Sequence, residues 1–254
     1  MRIILSPAKK MRIDTDSFDI CSLPQFLLQT QQILQTLQLL TNQELKTLWN
    51  CNDNIAAQNI QHLRTANLQV NLTPALLAYE GIQYQYMAPG VLEELQYLYL
   101  QEHLRIVSGF YGLLRPFDGV IPYRLEMQAK LQIQQYSNLY QFWGSQLARQ
   151  LAAETNIIIN LASKEYSRAI LPHLPASVQV YTCVFGEYTD GKIKEKATLC
   201  KMARGQMVRW MAENNITAPE QLCHFSQLEY CYSASHSSKY QLVFLKSPKR
   251  KKEF

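Results

Sequence analysis

The sequence has no apolar run long enough to span a membrane, and its opening Met1-Arg2-Ile3-Ile4-Leu5 is too short for the core of a signal peptide. The expectation is a cytoplasmic protein with no membrane contact. Cysteine is sparse: Cys21, Cys51, Cys183, Cys200, Cys223 and Cys231 form no C-x-x-C pair, which fits reduced thiols better than a disulfide framework. Histidine is scarcer still. The nearest approach to a metal cluster, Cys223, His224, Cys231 and His236, matches no zinc spacing, so neither a metal nor another cofactor is expected. The chain also lacks G-x-x-x-x-G-K-S/T, G-x-G-x-x-G after a strand, G-x-S-x-G and H-E-x-x-H, the signatures of common nucleotide, hydrolase and zinc sites.

What remains is an ordinary globular composition, 254 residues with 47% hydrophobic and 18% charged, enough to bury a sizeable core. We expect one domain over residues 1–246 and a basic, flexible tail over residues 247–254. The formal net charge of +5 is unevenly spread. Residues 246–254 hold Lys246, Lys249, Arg250, Lys251 and Lys252 against Glu253. Residues 13–104 carry nine acids against Lys46 and Arg64, whereas residues 105–209 carry thirteen basic residues against seven acids. The basic middle suits a polyanion or phosphate-bearing partner.

Residues 2–5 read as a strand stopped by Ser6-Pro7, which puts Ser6 and Lys9 on the loop at its carboxyl end, where open α/β sheets commonly bind ligands. Residues 24–40 have one apolar helical face (Phe26, Leu27, Ile33, Leu34, Leu37, Leu40), with Ser22 as a candidate cap. Thr41 and Glu44 have capping-box spacing, residues 53–63 add a third helix, and Thr73-Pro74 marks another helix start. A helix over residues 91–104 leads into Ser108-Gly109-Phe110-Tyr111-Gly112-Leu113-Leu114-Arg115-Pro116-Phe117-Asp118, continued by Pro122-Tyr123-Arg124-Leu125-Glu126-Met127. Gly109 and Gly112 permit a sharp turn whose N–H groups approach a ligand, and Arg115 and Arg124 follow closely, so the loop can bind an anion. A punctuated turn whose arginines pair with Asp118 and Glu126 is equally open.

Residues 139–154 read as one amphipathic helix, with Tyr140, Phe142 and Trp143 better suited to the core than to stacking on bases. A strand over residues 156–161 ends in Ala162-Ser163-Lys164-Glu165-Tyr166, an echo of the Ser6–Lys9 loop, so the two strand ends are expected side by side. Strands at 178–185 and 192–200 flank a turn at Thr189-Asp190-Gly191. A helix over 202–215, a short one capped by Thr217 and Glu220, and closing strands at 228–232 and 240–246 complete an α+β fold of mixed strands surrounded by helices.

In this order the motifs resemble the YaaA family of peroxide-stress proteins, formerly an uncharacterised protein family. The carriers are Ser6-Pro7-Ala8-Lys9, the 108–118 stretch with its continuation, Leu139-Tyr140-Gln141-Phe142-Trp143-Gly144, Asn160-Leu161-Ala162-Ser163-Lys164-Glu165-Tyr166, Lys201-Met202-Ala203-Arg204-Gly205 and Leu242-Val243-Phe244. The resemblance implies the family's own fold, with a helix-hairpin-helix-like element around the glycine turn that offers N–H groups to DNA phosphates. It also implies resistance to hydrogen peroxide, a part in iron homeostasis by limiting free iron, and binding of duplex DNA. Three departures stand out: Glu80 and Ile82 replace a Lys and an Asp, Met202 replaces a second Lys, and Glu229 stands where Gly is usual.

Two readings follow. In the first, Ser6, Lys9, Gly109, Gly112, Arg115, Arg124, Lys201 and Arg204 line a basic cleft for duplex DNA, bound with slight sequence preference. In the second, the same cleft belongs to an enzyme acting on a small anionic ligand, with Tyr123, Glu126 or Ser163 as acid–base candidates. A phosphate track needs basic residues spread along a groove, and a catalytic pocket needs them converging with a carboxylate and a hydroxyl.

Overall fold

The computed structural model describes residues 1–246, and the tail expected at 247–254 lies outside the described residues. At the centre is the Arg2–Leu5 strand. Three successive apolar residues leave it no polar face, so it must be covered on both sides, and Ile3, Ile4 and Leu5 are fully buried. Leu104–Ser108 lies parallel on one side of it and Ile157–Asn160 parallel on the other. Gln179–Thr189 and then Gln241–Lys246 extend the parallel array. Gly112–Leu114 and Tyr230–Tyr232 close the two edges antiparallel, and Lys192–Lys194 turns back on Gln179–Thr189, giving a mixed eight-stranded sheet. The α+β architecture is the one the sequence predicts.

Helices cover the sheet. Leu27–Leu39, Asn42–Trp49 and Asp53–Arg64 bury Ile33, Leu34, Leu37, Leu45, Trp49 and Leu63 in the common core. The Thr41/Glu44 capping box forms as its spacing predicts. On another flank, Ala197–Glu213 packs against Ile82–Met87, Glu94–His103 and the Gln179–Thr189 strand. That contact is close: a Cβ at Gly205 would lie 1.9 Å from the carbonyl oxygen of Gln83, so only glycine fits.

Several elements differ from expectation. The helix ahead of the glycine turn is Glu94–His103, and the chain then enters the Leu104–Ser108 strand, which the sequence reading did not contain. With Gly112–Leu114 running back antiparallel, the glycine turn is the tip of a β-hairpin, so no second helix follows it and no helix-hairpin-helix forms here. Gly112 has φ +77, the left-handed region that glycine tolerates. Residues 139–154 are two helices, Leu139–Trp143 and Gln146–Glu154, broken where Gly144 adopts φ +46. Thr73-Pro74 pairs with Gly119–Val120, and only Ala75–Ala78 beyond it is helical.

Ser22 does not cap a helix; its hydroxyl donates to Asp118 Oδ1 at 2.6 Å. The strand at 192–194 is short, because helix formation begins at Ala197 rather than at 202. The segment after Thr217 is a 3₁₀ turn, Pro219–His224, and Gln221, not Glu220, reaches back to the Thr217 N–H at 2.9 Å.

Candidate anion site at the ends of the parallel strands

Three neighbouring parallel strands end in hydroxyl residues or lead into them. Ser6 follows Arg2–Leu5, Ser108 ends Leu104–Ser108, and Ser163 follows Ile157–Asn160. The Ser6 hydroxyl accepts the Ser163 N–H at 2.9 Å and donates to the Ser163 hydroxyl at 3.3 Å. The two strand ends therefore lie side by side, as the echo in their sequences predicts. Behind them, the Ser6 carbonyl accepts from Gln83 Nε2 at 2.8 Å and from the Tyr84 hydroxyl at 3.1 Å. Because Gly205 seats its helix on Gln83, the 197–213 helix is coupled to this loop through a single residue.

Ser108 organises the second half of the site. Its hydroxyl accepts the N–H groups of Phe110 and Tyr111 at 3.1 and 2.9 Å and bonds the Tyr123 hydroxyl at 2.6 Å. Tyr123 in turn meets the Tyr79 hydroxyl at 2.7 Å. The turn N–H groups read as anion donors are thus consumed internally, and the Gly109 carbonyl is taken by the Trp143 indole at 3.0 Å. Burial pushes the Tyr123 phenol up to about 12, against the hydrogen bonds from Ser108 and Tyr79.

Charged groups border these hydroxyls. Lys9 Nζ lies 2.7 Å from Glu126 Oε1, and Arg124 Nη2 lies 3.9 Å from the same oxygen. Lys9 is largely exposed and Arg124 is not, with side chains 62% and 11% accessible. Burial pushes the Glu165 carboxyl up; the Gln128 N–H at 3.2 Å opposes this, repulsion from Glu126 adds to it, and Lys9 again opposes. Lys9 and Glu126 line an open groove of about 950 Å³ with Trp49, Asn50, Gln128 and Lys130.

The remaining candidates separate. Arg115 does not join the cluster: the hairpin's return strand pairs Leu114 with Ile106, which brings Arg115 level with Arg105 at the opposite end of the parallel strands. There it lines a cavity of about 240 Å³ with Arg105, Asp118 and Glu154. Arg204 is half-buried beside Cys183 and Cys200, where its charge partly offsets the burial that pushes the Cys183 thiol up to about 12. Lys201, one turn earlier, is exposed and makes no ion pair among the described residues. Glu80 explains itself by pairing with Lys10 at 2.7 Å.

Sequence reasoning missed Tyr79, Gln83 and Tyr84 as members of the site, although their segment carried a family-like pattern. Glu165 and Ser108 fall within family-like motifs, and only the fold gives them their partners.

As chemistry, the arrangement offers cations and hydroxyls bonded to one another rather than an activated nucleophile. Ser163 has no histidine or carboxylate hydrogen-bonded to its hydroxyl among the described residues, and Glu126 is held by Lys9.

Comparison with known proteins places these residues in context. A family model described as "Peroxide stress protein YaaA" matches residues 1–236. A UPF0246 protein of Pediococcus pentosaceus is 53% identical over 247 residues, covering 97% of this chain and 98% of that protein. One from Lachnoclostridium phytofermentans is 51% identical over 246 residues, covering 97% and 96%. Another from Lactiplantibacillus plantarum is 49% identical over 245 residues, covering 96% and 99%.

Proposed function

The chain belongs to the peroxide stress protein YaaA family, and from that premise we propose that it serves the response to hydrogen peroxide by binding duplex DNA and limiting iron-driven damage to it. The DNA contacts fall to exposed lysines at the ends of the parallel strands, and sequence preference is slight.

One observation carries the reading. The segments after two directly paired strands present exposed Lys9 and Lys164 at the same end of the sheet, while the hydroxyls behind them bond one another. Surface cations attract phosphate without regard to base sequence. A catalytic pocket requires groups held ready for substrate. Here Tyr123 sits near 12, far from a useful acid–base value at neutral pH, and Ser163 lacks a base. These features favour binding over the small-substrate enzyme.

Any effect on iron is indirect, since no Cys/His pattern in the sequence has ligand spacing. Fluorescence anisotropy with a labelled duplex tests the proposal: a folded Lys9→Ala, Lys164→Ala double variant with unchanged binding across a salt series would remove it. Elemental analysis finding one tightly held iron per chain would overturn the indirect role.

A further inference from the structure

Trp49 and Arg124 line one small cavity whose wall includes Leu34, Leu37, Leu63 and Phe110. The indole Nε1 of Trp49 and the Nε of Arg124 are both buried, and neither has an acceptor among the described residues. Trp49 is 4% exposed and the Arg124 side chain 11%. A buried N–H without an acceptor costs roughly 1–3 kcal/mol, and more on a charged group. Two residues carrying such donors line one cavity, which points to something there that accepts from both.

Charge points the same way. The carboxylate nearest Arg124 is Glu126, at 3.9 Å, and that oxygen is held by Lys9 at 2.7 Å. One carboxylate serves two cations. The guanidinium cannot deprotonate, so its charge stays, and the one carboxylate beside it is shared with Lys9.

Size narrows the choice. The space open to the centre of a water-sized sphere is about 10 Å³, room for one such group and far too little for a phosphodiester or a nucleotide. A water could accept both N–H groups, but it must place its own two hydrogens. Asn59 also borders the cavity, with its amide nitrogen donating to the Ile55 carbonyl at 2.7 Å, so it leaves a single amide oxygen to receive one of them. The Tyr123 hydroxyl is engaged by Ser108 and Tyr79. A water also brings no negative charge of its own.

We infer that Trp49 Nε1–H and Arg124 Nε–H form a binding site for a halide ion, with chloride the ordinary occupant. A halide accepts without donating, carries one negative charge and, as a single atom, is far smaller than a phosphodiester. The site is distinct from the exposed lysines proposed to meet DNA, and its outcome is independent of theirs.

Crystals of the full chain soaked in sodium bromide and measured at the bromine absorption edge should show an anomalous peak in contact with both nitrogens. In solution, exchanging gluconate for chloride at constant ionic strength should raise the thermal midpoint saturably. Trp49→Phe keeps the packing but removes one donor, and should raise the half-effect chloride concentration about tenfold or more. Arg124→Met should abolish the effect. An ordered water without bromine signal at this position overturns the inference, as does a chloride effect unchanged in Trp49→Phe. A bromine peak that persists at full strength in Arg124→Met would mark an adventitious ion and overturn it equally. Should Arg124→Met fail to fold, the anomalous map and the Trp49→Phe titration decide the matter.

Discussion

The Ser6 hydroxyl accepts the backbone N–H of Ser163 at 2.9 Å, across 157 residues of chain. Ser6 is 8% exposed, so the bond is sheltered from water and its loss is not readily replaced. Ser6→Ala should lower stability by roughly 1–3 kcal/mol, the cost of leaving a buried N–H without an acceptor. Urea denaturation reads this as a lower midpoint at unchanged slope. A change within experimental error would mean that the two loops are held by their strands alone.

That contact was legible because both strands are buried on two faces and therefore read as unbroken apolar runs, Ile3-Ile4-Leu5 and Ile157-Ile158-Ile159, each with a hydroxyl and a lysine after it. The neighbouring Leu104–Ser108 strand was hidden. Arg105 interrupts its apolar run, and nothing local announces that this arginine is 3% exposed and paired with Glu154, 49 residues away, at 2.6 Å. Without that strand the glycine turn could not be seen as a hairpin tip, and the return path that carries Arg115 to the opposite end of the sheet was invisible. Sequence proximity placed Arg115 beside Arg124; antiparallel pairing separated them.

Glu154 is the acid on which Arg105 and Arg2 converge, at 2.6 and 3.0 Å. Burial alone would push its carboxyl up, but hydrogen bonds from Gln150, Arg105 and Arg2 and the Arg105 charge outweigh it and hold the carboxyl below the usual range. A carboxyl depressed in the folded state contributes stability above its unfolded value, near 4.3, and loses that contribution as pH falls through the folded value. Glu154→Gln should therefore cost roughly 3 kcal/mol at pH 7, with Arg105 left buried and uncompensated. The gap from wild type should narrow below about pH 4. Urea midpoints of both proteins at pH 7 and pH 3.5 test the sign; a constant gap contradicts it.

Glu229 occupies a position with φ +64, the left-handed region, which accounts for the glycine usual in the family. An L-residue with a Cβ loses about 1–2 kcal/mol there. Its ion pair with Lys246, at 3.3 Å and 58% exposed on the Glu229 side, returns little of that. Glu229→Gly should stabilise the protein by about 0.5–1 kcal/mol after the added freedom of the unfolded chain is counted. Glu229→Ala keeps the strain, removes the ion pair and should not stabilise. Thermal melts of the two variants separate backbone strain from charge: equal gains in both would assign the effect to the lost carboxylate.

The DNA reading makes its sharpest demand on which basic residues matter. Lys9, Lys164 and Lys201 are exposed, whereas Arg124 is largely buried and Arg115 lies at the opposite end of the parallel strands. Each exposed lysine that meets a phosphate should, on neutralisation, reduce the slope of log affinity against log salt by about one unit. Lys9→Ala, Lys164→Ala should therefore reduce it by about two units whatever the duplex sequence. Arg115→Ala should leave binding unchanged and serves as the internal control. Truncation at Pro248 removes a run of lysines whose influence is screened over about 8 Å at physiological salt, so it should weaken binding less than the double variant does. Anisotropy titrations from low to physiological salt give all three slopes in one experiment. If Arg115→Ala weakens binding and the lysine pair does not, DNA meets the far end of the sheet and the proposed surface is wrong. If truncation alone abolishes binding, the affinity belongs to the terminal lysines, and a small anion at the Lys9–Glu126 groove becomes the reading to pursue.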